Sequence, residues 1–106
     1  MKFLVITRMK DTFAMVPLDK QAQIMEGVAA YINKYKKAGV CKEVYSIASI
    51  HGTASIWDVE SGEKGNAIYV ENPAYGFEDF EMYAMSDFDA QMKVQMEGYK
   101  NLLTKK

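Results

Sequence analysis

The chain alternates between short stretches rich in β-branched and aromatic residues and two longer stretches whose apolar positions recur every three or four residues. Lys2 to Met9, KFLVITRM, is apolar on both faces, the pattern of a strand central in a sheet. A short loop through Asp11 and Thr12 leads to Pro17, which fits the first position of a helix because its missing N–H would be unpaired there anyway. Asp19 then lies in the first turn, at the positive end of the helix dipole. Apolar residues recur at Leu18, Ala22, Met25, Ala29, Ile32 and Tyr35, which predicts a helix over Leu18 to Ala38. Lys34, Lys36 and Lys37 load its last turn, and Gly39 supplies a left-handed stop.

Val40 to Ser49 alternates as a strand, with Val44, Ser46 and Ala48 on one face and Tyr45 and Ile47 on the other. A turn at His51-Gly52 joins it to a second strand, Thr53 to Val59, which is a hairpin signal. A short helix begins near Ser61, with Glu63 in its first turn. Gly62 and Gly65 weaken it, and it ends before Pro73, because the residue preceding proline avoids helical geometry. Gly76 opens a fourth strand over Phe77 to Met85. Ser86 fits an N-cap with Asp89 in the capping-box position, and Phe88, Met92, Met96, Tyr99 and Leu103 form the stripe of a final amphipathic helix.

The resulting order, β-α-β-β-α-β plus a C-terminal helix, is the ferredoxin-like α+β arrangement. With right-handed crossovers all helices can lie on one side of an antiparallel sheet. Phe3, Val5, Trp57, Phe80, Met82 and their alternating neighbours then provide more apolar surface than one covered face needs. A second copy over the other face is the simplest remedy, giving a homodimer of the dimeric α+β barrel type. The 106 residues suit one such domain, spanning 1–106.

Charge narrows the partners. A net charge of −1 without a basic block excludes a nucleic acid as main partner, since phosphate binding needs a concentrated positive footprint. No apolar run approaches the roughly 20 residues that span a bilayer, and the start lacks the order of a signal peptide. Cys41 is the one cysteine, so there is neither a disulfide nor a cysteine metal cluster, and a cytoplasmic setting fits. No phosphate loop, serine nucleophile motif or dinucleotide fingerprint is present, and the expectation is a protein with neither cofactor nor metal.

Ile47-Ala48, the run Ser55-Ile56-Trp57-Asp58-Val59, Ser61, Glu63, Pro73, and Phe80 with Glu81 resemble the muconolactone isomerase family of the dimeric α+β barrel superfamily. Met1 to Arg8 and the length of the first helix agree with it. The resemblance implies a ferredoxin-like barrel fold, a homo-oligomer, and a cofactor-independent isomerase acting on a small lactone or carboxylate. It also implies a histidine at the end of the second strand, near Ile50; His51 stands one position on.

Moving a lactone double bond requires a group that removes a proton beside a carbonyl and returns it elsewhere, with a donor for the developing enolate. Glu26 on the first helix and His51 at the hairpin are the candidates for the proton. Arg8, near the end of an apolar strand, could anchor a substrate carboxylate through paired hydrogen bonds, or could pair with Asp58 or Glu81. Tyr31, Tyr45 and Trp57 are candidate substrate-binding aromatics, in a pocket between the first helix and the sheet. The acidic run Glu78, Asp79, Glu81 alternates along a strand and so does not converge on one point. Two other readings remain: a non-catalytic ligand-binding or accessory protein, and an assembly module with a filled core.

Overall fold

A computed structural model describes residues 1–105 of the chain. Four strands, β1 (Lys2–Met9), β2 (Cys41–Ile47), β3 (Gly52–Asp58) and β4 (Glu78–Met85), form one antiparallel sheet in the order β2-β3-β1-β4. The doubly apolar β1 is indeed flanked on both sides, by β3 and β4. Three α-helices, α1 (Leu18–Lys37), α2 (Gly62–Tyr69) and α3 (Phe88–Thr104), follow the predicted order. The segment expected as a loop after β1 contains a 3₁₀ turn at Asp11–Met15, which buries Phe13 against Phe77 edge to face.

Register decides which side chains meet. Phe3 lies opposite Trp57 and Ala84, Val5 opposite Ser55 and Met82, and Thr7 opposite Thr53 and Phe80. Directly opposed residues share a face, so this set forms one surface of the sheet. A bulge between Cys41 and Glu43 inserts an extra residue in β2 and lets Cys41 and Val44 join that surface. The core is Phe3, Val5, Tyr31, Cys41, Trp57, Val59 and Ile68. Leu4, Ile6, Ala54, Ile56, Tyr45 and Tyr83 point to the opposite face, where Tyr45 and Tyr83 are exposed.

Three local expectations change. The inward stripe of α1 keeps Ile32 and Tyr35 of the predicted one and is completed by Ile24, Val28 and the buried Tyr31; Leu18, Ala22, Met25 and Ala29 are exposed. Both stripes are apolar, and the one with the larger branched and aromatic side chains removes more area from water. Asp87, rather than Ser86, caps α3, its carboxylate accepting from the backbone N–H of Ala90 at 2.9 Å. Pro17 is the N-cap of α1 rather than its first helical residue.

Gly39 has φ 75 and ends α1 in the left-handed region, and Gly76 has φ 93 ahead of β4. α3 differs most from the expectation that every helix packs on the sheet. None of its residues is buried, and Phe88 and Leu103 are 73% and 67% exposed. The helix projects outward, which stretches the molecule to 67 × 29 × 24 Å.

Candidate functional site

The inward face of the sheet is only partly filled. Odd-numbered residues of β1 and β3, with Cys41 and Val44 of the bulged β2, point towards α1 and α2, and no large side chain among the described residues is completely buried. What remains is a partly enclosed cavity of about 70 Å³, floored by Val5, Thr7 and Ser55 and roofed by Val28, Tyr31 and Ile68. By volume it holds a few water molecules or one small ring compound.

Its walls are aromatic. Tyr69 of α2 stacks on Phe80 of β4 with centroids 3.8 Å apart and planes at 15°. Trp57 packs beside Tyr31 at 5.9 Å and Tyr35 at 5.7 Å. The Tyr31 hydroxyl donates to the carbonyl of Ile68 at 3.0 Å, tying α1 to α2 over the cavity. Burial, with the neighbouring Tyr35 second, pushes the Tyr31 phenol up, so it stays protonated and donates throughout the physiological range.

The polar groups gather at the β4 end. Glu78 lines the cavity and accepts from the Tyr69 hydroxyl at 3.0 Å. Burial raises the Glu78 carboxyl above the ordinary glutamate value, while hydrogen bonding from Tyr69 and Thr7 opposes the rise. Burial first, and then the Glu78 charge, also pushes the Tyr69 phenol well up, fixing it as a donor. The hydroxyls of Thr7 and Thr53 are 2.8 Å apart on adjacent strands. Ser55 Oγ accepts from Trp57 Nε1 at 2.8 Å, and Asn72 Oδ1 accepts from the backbone N–H of Ala74 at 2.9 Å. No lining residue is a lysine, arginine or histidine, and Glu78 is the one carboxyl among them.

The structure separates the residues selected from sequence into two sets. Tyr31 and Trp57 are on the cavity wall. Arg8, Glu26, Tyr45 and His51 are exposed and lie off it. Arg8 has even parity in β1 and shares the open sheet face with Asp79 and Gly52, its partners in register. Asp58 is at the far end of β3, paired with the N-terminal ammonium at 3.1 Å, and Glu81 accepts from Tyr83, so neither is the partner of Arg8. Tyr45 bonds Glu43 on the open face. His51 sits in the hairpin turn, where its backbone carbonyl, not its ring, accepts from Met9.

Glu78 is the residue that sequence reasoning passed over. Alternation does disperse the acidic run, and it does so by turning Glu78 inward while Asp79 and Glu81 face out. The available signal was parity: Glu78, Phe80 and Met82 are spaced by two, so an acid occupies the same face as two core residues. Gly27, in the interior of α1, faces Pro73; a Cβ there would lie 2.9 Å from the proline ring. Among the described residues no three of His, Cys, Asp or Glu cluster as metal ligands, and no helix is long and apolar enough to cross a membrane.

No family model matches the chain. No curated protein matches it either. Among solved structures it is similar to the crystal structure of muconolactone isomerase, with a TM-score of 0.74 at 22% sequence identity, over 82% of this chain and 90% of that one. The likeness establishes a muconolactone isomerase-like α+β fold.

Proposed function

We propose that the cavity under α1 and α2 is a ligand site at which Glu78 moves a proton, making the protein a cofactor-independent isomerase of small ring compounds such as lactones. The carrying observation is a carboxyl with a raised pKa among aromatic walls, held by a phenol donor at 3.0 Å. Desolvation makes such a carboxylate a stronger base than it is in water. It takes a proton from the carbon beside the substrate carbonyl and exchanges it with water; the C–H electrons pass into the carbonyl as an enolate, and the carboxyl returns a proton at the far carbon of the conjugated system. The overall change is an isomerisation. Ser55, whose oxygen already accepts from Trp57, keeps its own hydrogen to donate to the enolate oxygen. Tyr31 and Trp57 shape the walls. Glu26 and His51 lie away from the cavity, and for that reason the proposal gives the proton to Glu78. The likeness in fold to muconolactone isomerase supports the same class of reaction.

The test is proton exchange. Wild-type protein and Glu78→Gln are incubated in D₂O with small unsaturated lactones, and deuterium uptake is followed by NMR. Wild type incorporates deuterium and shifts the double bond, and the variant loses the rate. Equal rates in both remove Glu78 from the reaction.

The second reading, a non-catalytic ligand-binding protein, is favoured by one observation. Among the described residues no fully buried polar side-chain atom lacks a partner, so none of them needs a substrate group to complete it. Binding of a ring compound without exchange supports it.

We also propose that a second copy covers the open sheet face. Leu4, Ile6 and Ile56, half-buried in the isolated chain, with exposed Tyr45 and Tyr83, form an apolar strip bordered by Glu43 and Glu81, at a net charge near zero.

A further inference from the structure

We infer that α3 is a contact surface for a second copy of this chain, the two helices lying antiparallel about a two-fold axis near Gln95. The inference concerns assembly and does not depend on the reading of the cavity.

The apolar face of α3 is unused within its own chain. Phe88, Met92, Met96, Tyr99 and Leu103 recur at spacings of three and four, and none of the helix residues is buried. A helix of 17 residues draws most of its stability from packing such a face.

The charges beside the stripe say what that face meets. At 3.6 residues per turn, Asp89 and Lys100 are three turns apart and within about 20° of each other, so both stand on the same flank of the stripe. The other flank, Gln95 and Leu102, is uncharged. About 16 Å of helix separates the two charges, too far for them to pair within one chain. Among the described residues neither has another ion-pair partner.

Parallel helices bring opposite flanks together, whereas an antiparallel pair with two-fold symmetry sets like flanks against each other. Only the antiparallel pair therefore opposes these charges. The register that sets Phe88 against the partner's Leu103 also sets Met92 against the partner's Tyr99, and Asp89 against the partner's Lys100. Symmetry makes each of these contacts twice, as an interface between identical surfaces requires. A partner of unrelated sequence requires no such match within α3. The contact is about 25 Å long, shorter than the about three to four heptads of a self-sufficient coiled coil. In dilute solution it reinforces a pairing through the sheet face and does not replace it.

The test mixes equal amounts of unlabelled and uniformly ¹⁵N-labelled full-length protein at high concentration. A water-soluble carbodiimide then condenses carboxylates with amines in contact with them, and the conjugates are identified by mass spectrometry. Lys34 and Glu71, 3.3 Å apart in one chain, yield an unmixed conjugate that serves as the control. The expected result is a conjugate of Asp89 with Lys100 in which one peptide is labelled and the other is not. Met92→Asp charges the middle of the stripe at an exposed position and lowers the mixed yield about tenfold or more relative to the control. An Asp89–Lys100 conjugate that is absent, or never mixed, overturns the pairing. A mixed conjugate of Asp89 with a lysine outside α3 puts the helix on another surface of the partner and overturns it too. Equal mixed yields from wild type and Met92→Asp overturn the apolar stripe as the contact.

Discussion

Tyr69 donates its hydroxyl hydrogen to Oε1 of Glu78 over 3.0 Å, joining the last residue of α2 to the first residue of β4. The turn between them brings a phenol and a carboxyl together inside an aromatic cavity. Each alters the other: the carboxylate charge pushes the phenol up, and the phenol offsets part of the rise that burial imposes on the carboxyl.

Glu78 makes stability depend on pH in a definite direction. Its folded pKa is raised above the ordinary 4.5, so between the two values the folded chain holds more proton than the unfolded one. The contribution is fully present below about 4.5 and is lost as pH rises through the folded value. Glu78→Gln removes it. Thermal melts at pH 4 and pH 7 are therefore expected to show the variant gaining on wild type at the higher pH.

Tyr69→Phe deletes the donor and keeps the ring stacked on Phe80. Loss of a hydrogen bond to a charged group costs about 1.5 kcal/mol at neutral pH, read from denaturant midpoints. The Glu78 carboxyl, titrated by ¹³C NMR, moves further up, because a bond that favours its charged form has gone.

Two helix glycines are expected to respond with opposite signs. At Gly98 in α3 nothing lies within 4 Å of an added Cβ, so Gly98→Ala raises helicity and stabilises by about 1 kcal/mol. At Gly27 the same methyl meets the ring of Pro73 at 2.9 Å, and a proline cannot swing aside. Gly27→Ala is expected to destabilise by roughly 1–2 kcal/mol despite the better propensity. Chemical denaturation of the two variants checks both signs.

Ile6→Asp places a charge in the middle of the open sheet face without touching the cavity face. If a second copy covers that face, light scattering shows wild type at twice the chain mass or a multiple of it, and the variant at the chain mass. A monomeric wild type removes the proposed pairing.

Much of the fold could be read from the chain because its signals are local. The periodicity of α1, the stop at Gly39 and the hairpin through Gly52 each depend on a few neighbouring residues, and all three are present. The face of α1 was less legible: two apolar stripes share Ile32 and Tyr35, and only packing against Trp57 and Ile68 chooses the one containing Tyr31. The unpacked state of α3 was not legible at all, because an amphipathic pattern demands an apolar partner without saying which molecule supplies it.

For the site, alternation along the strands fixes which residues can share a face: Glu78 with Phe80 and Met82, and Thr7 with Val5 and Phe3. It also determined that Arg8 and Thr7 must point to opposite faces, since side chains alternate along a strand. Which of those faces the helices cover is settled only in the folded molecule. That choice rests on the summed burial of many side chains across β1, β3, β4 and α1, a non-local quantity that no short window of sequence contains. It put Glu78 and Tyr69 inside one cavity and left Arg8 and His51 outside it.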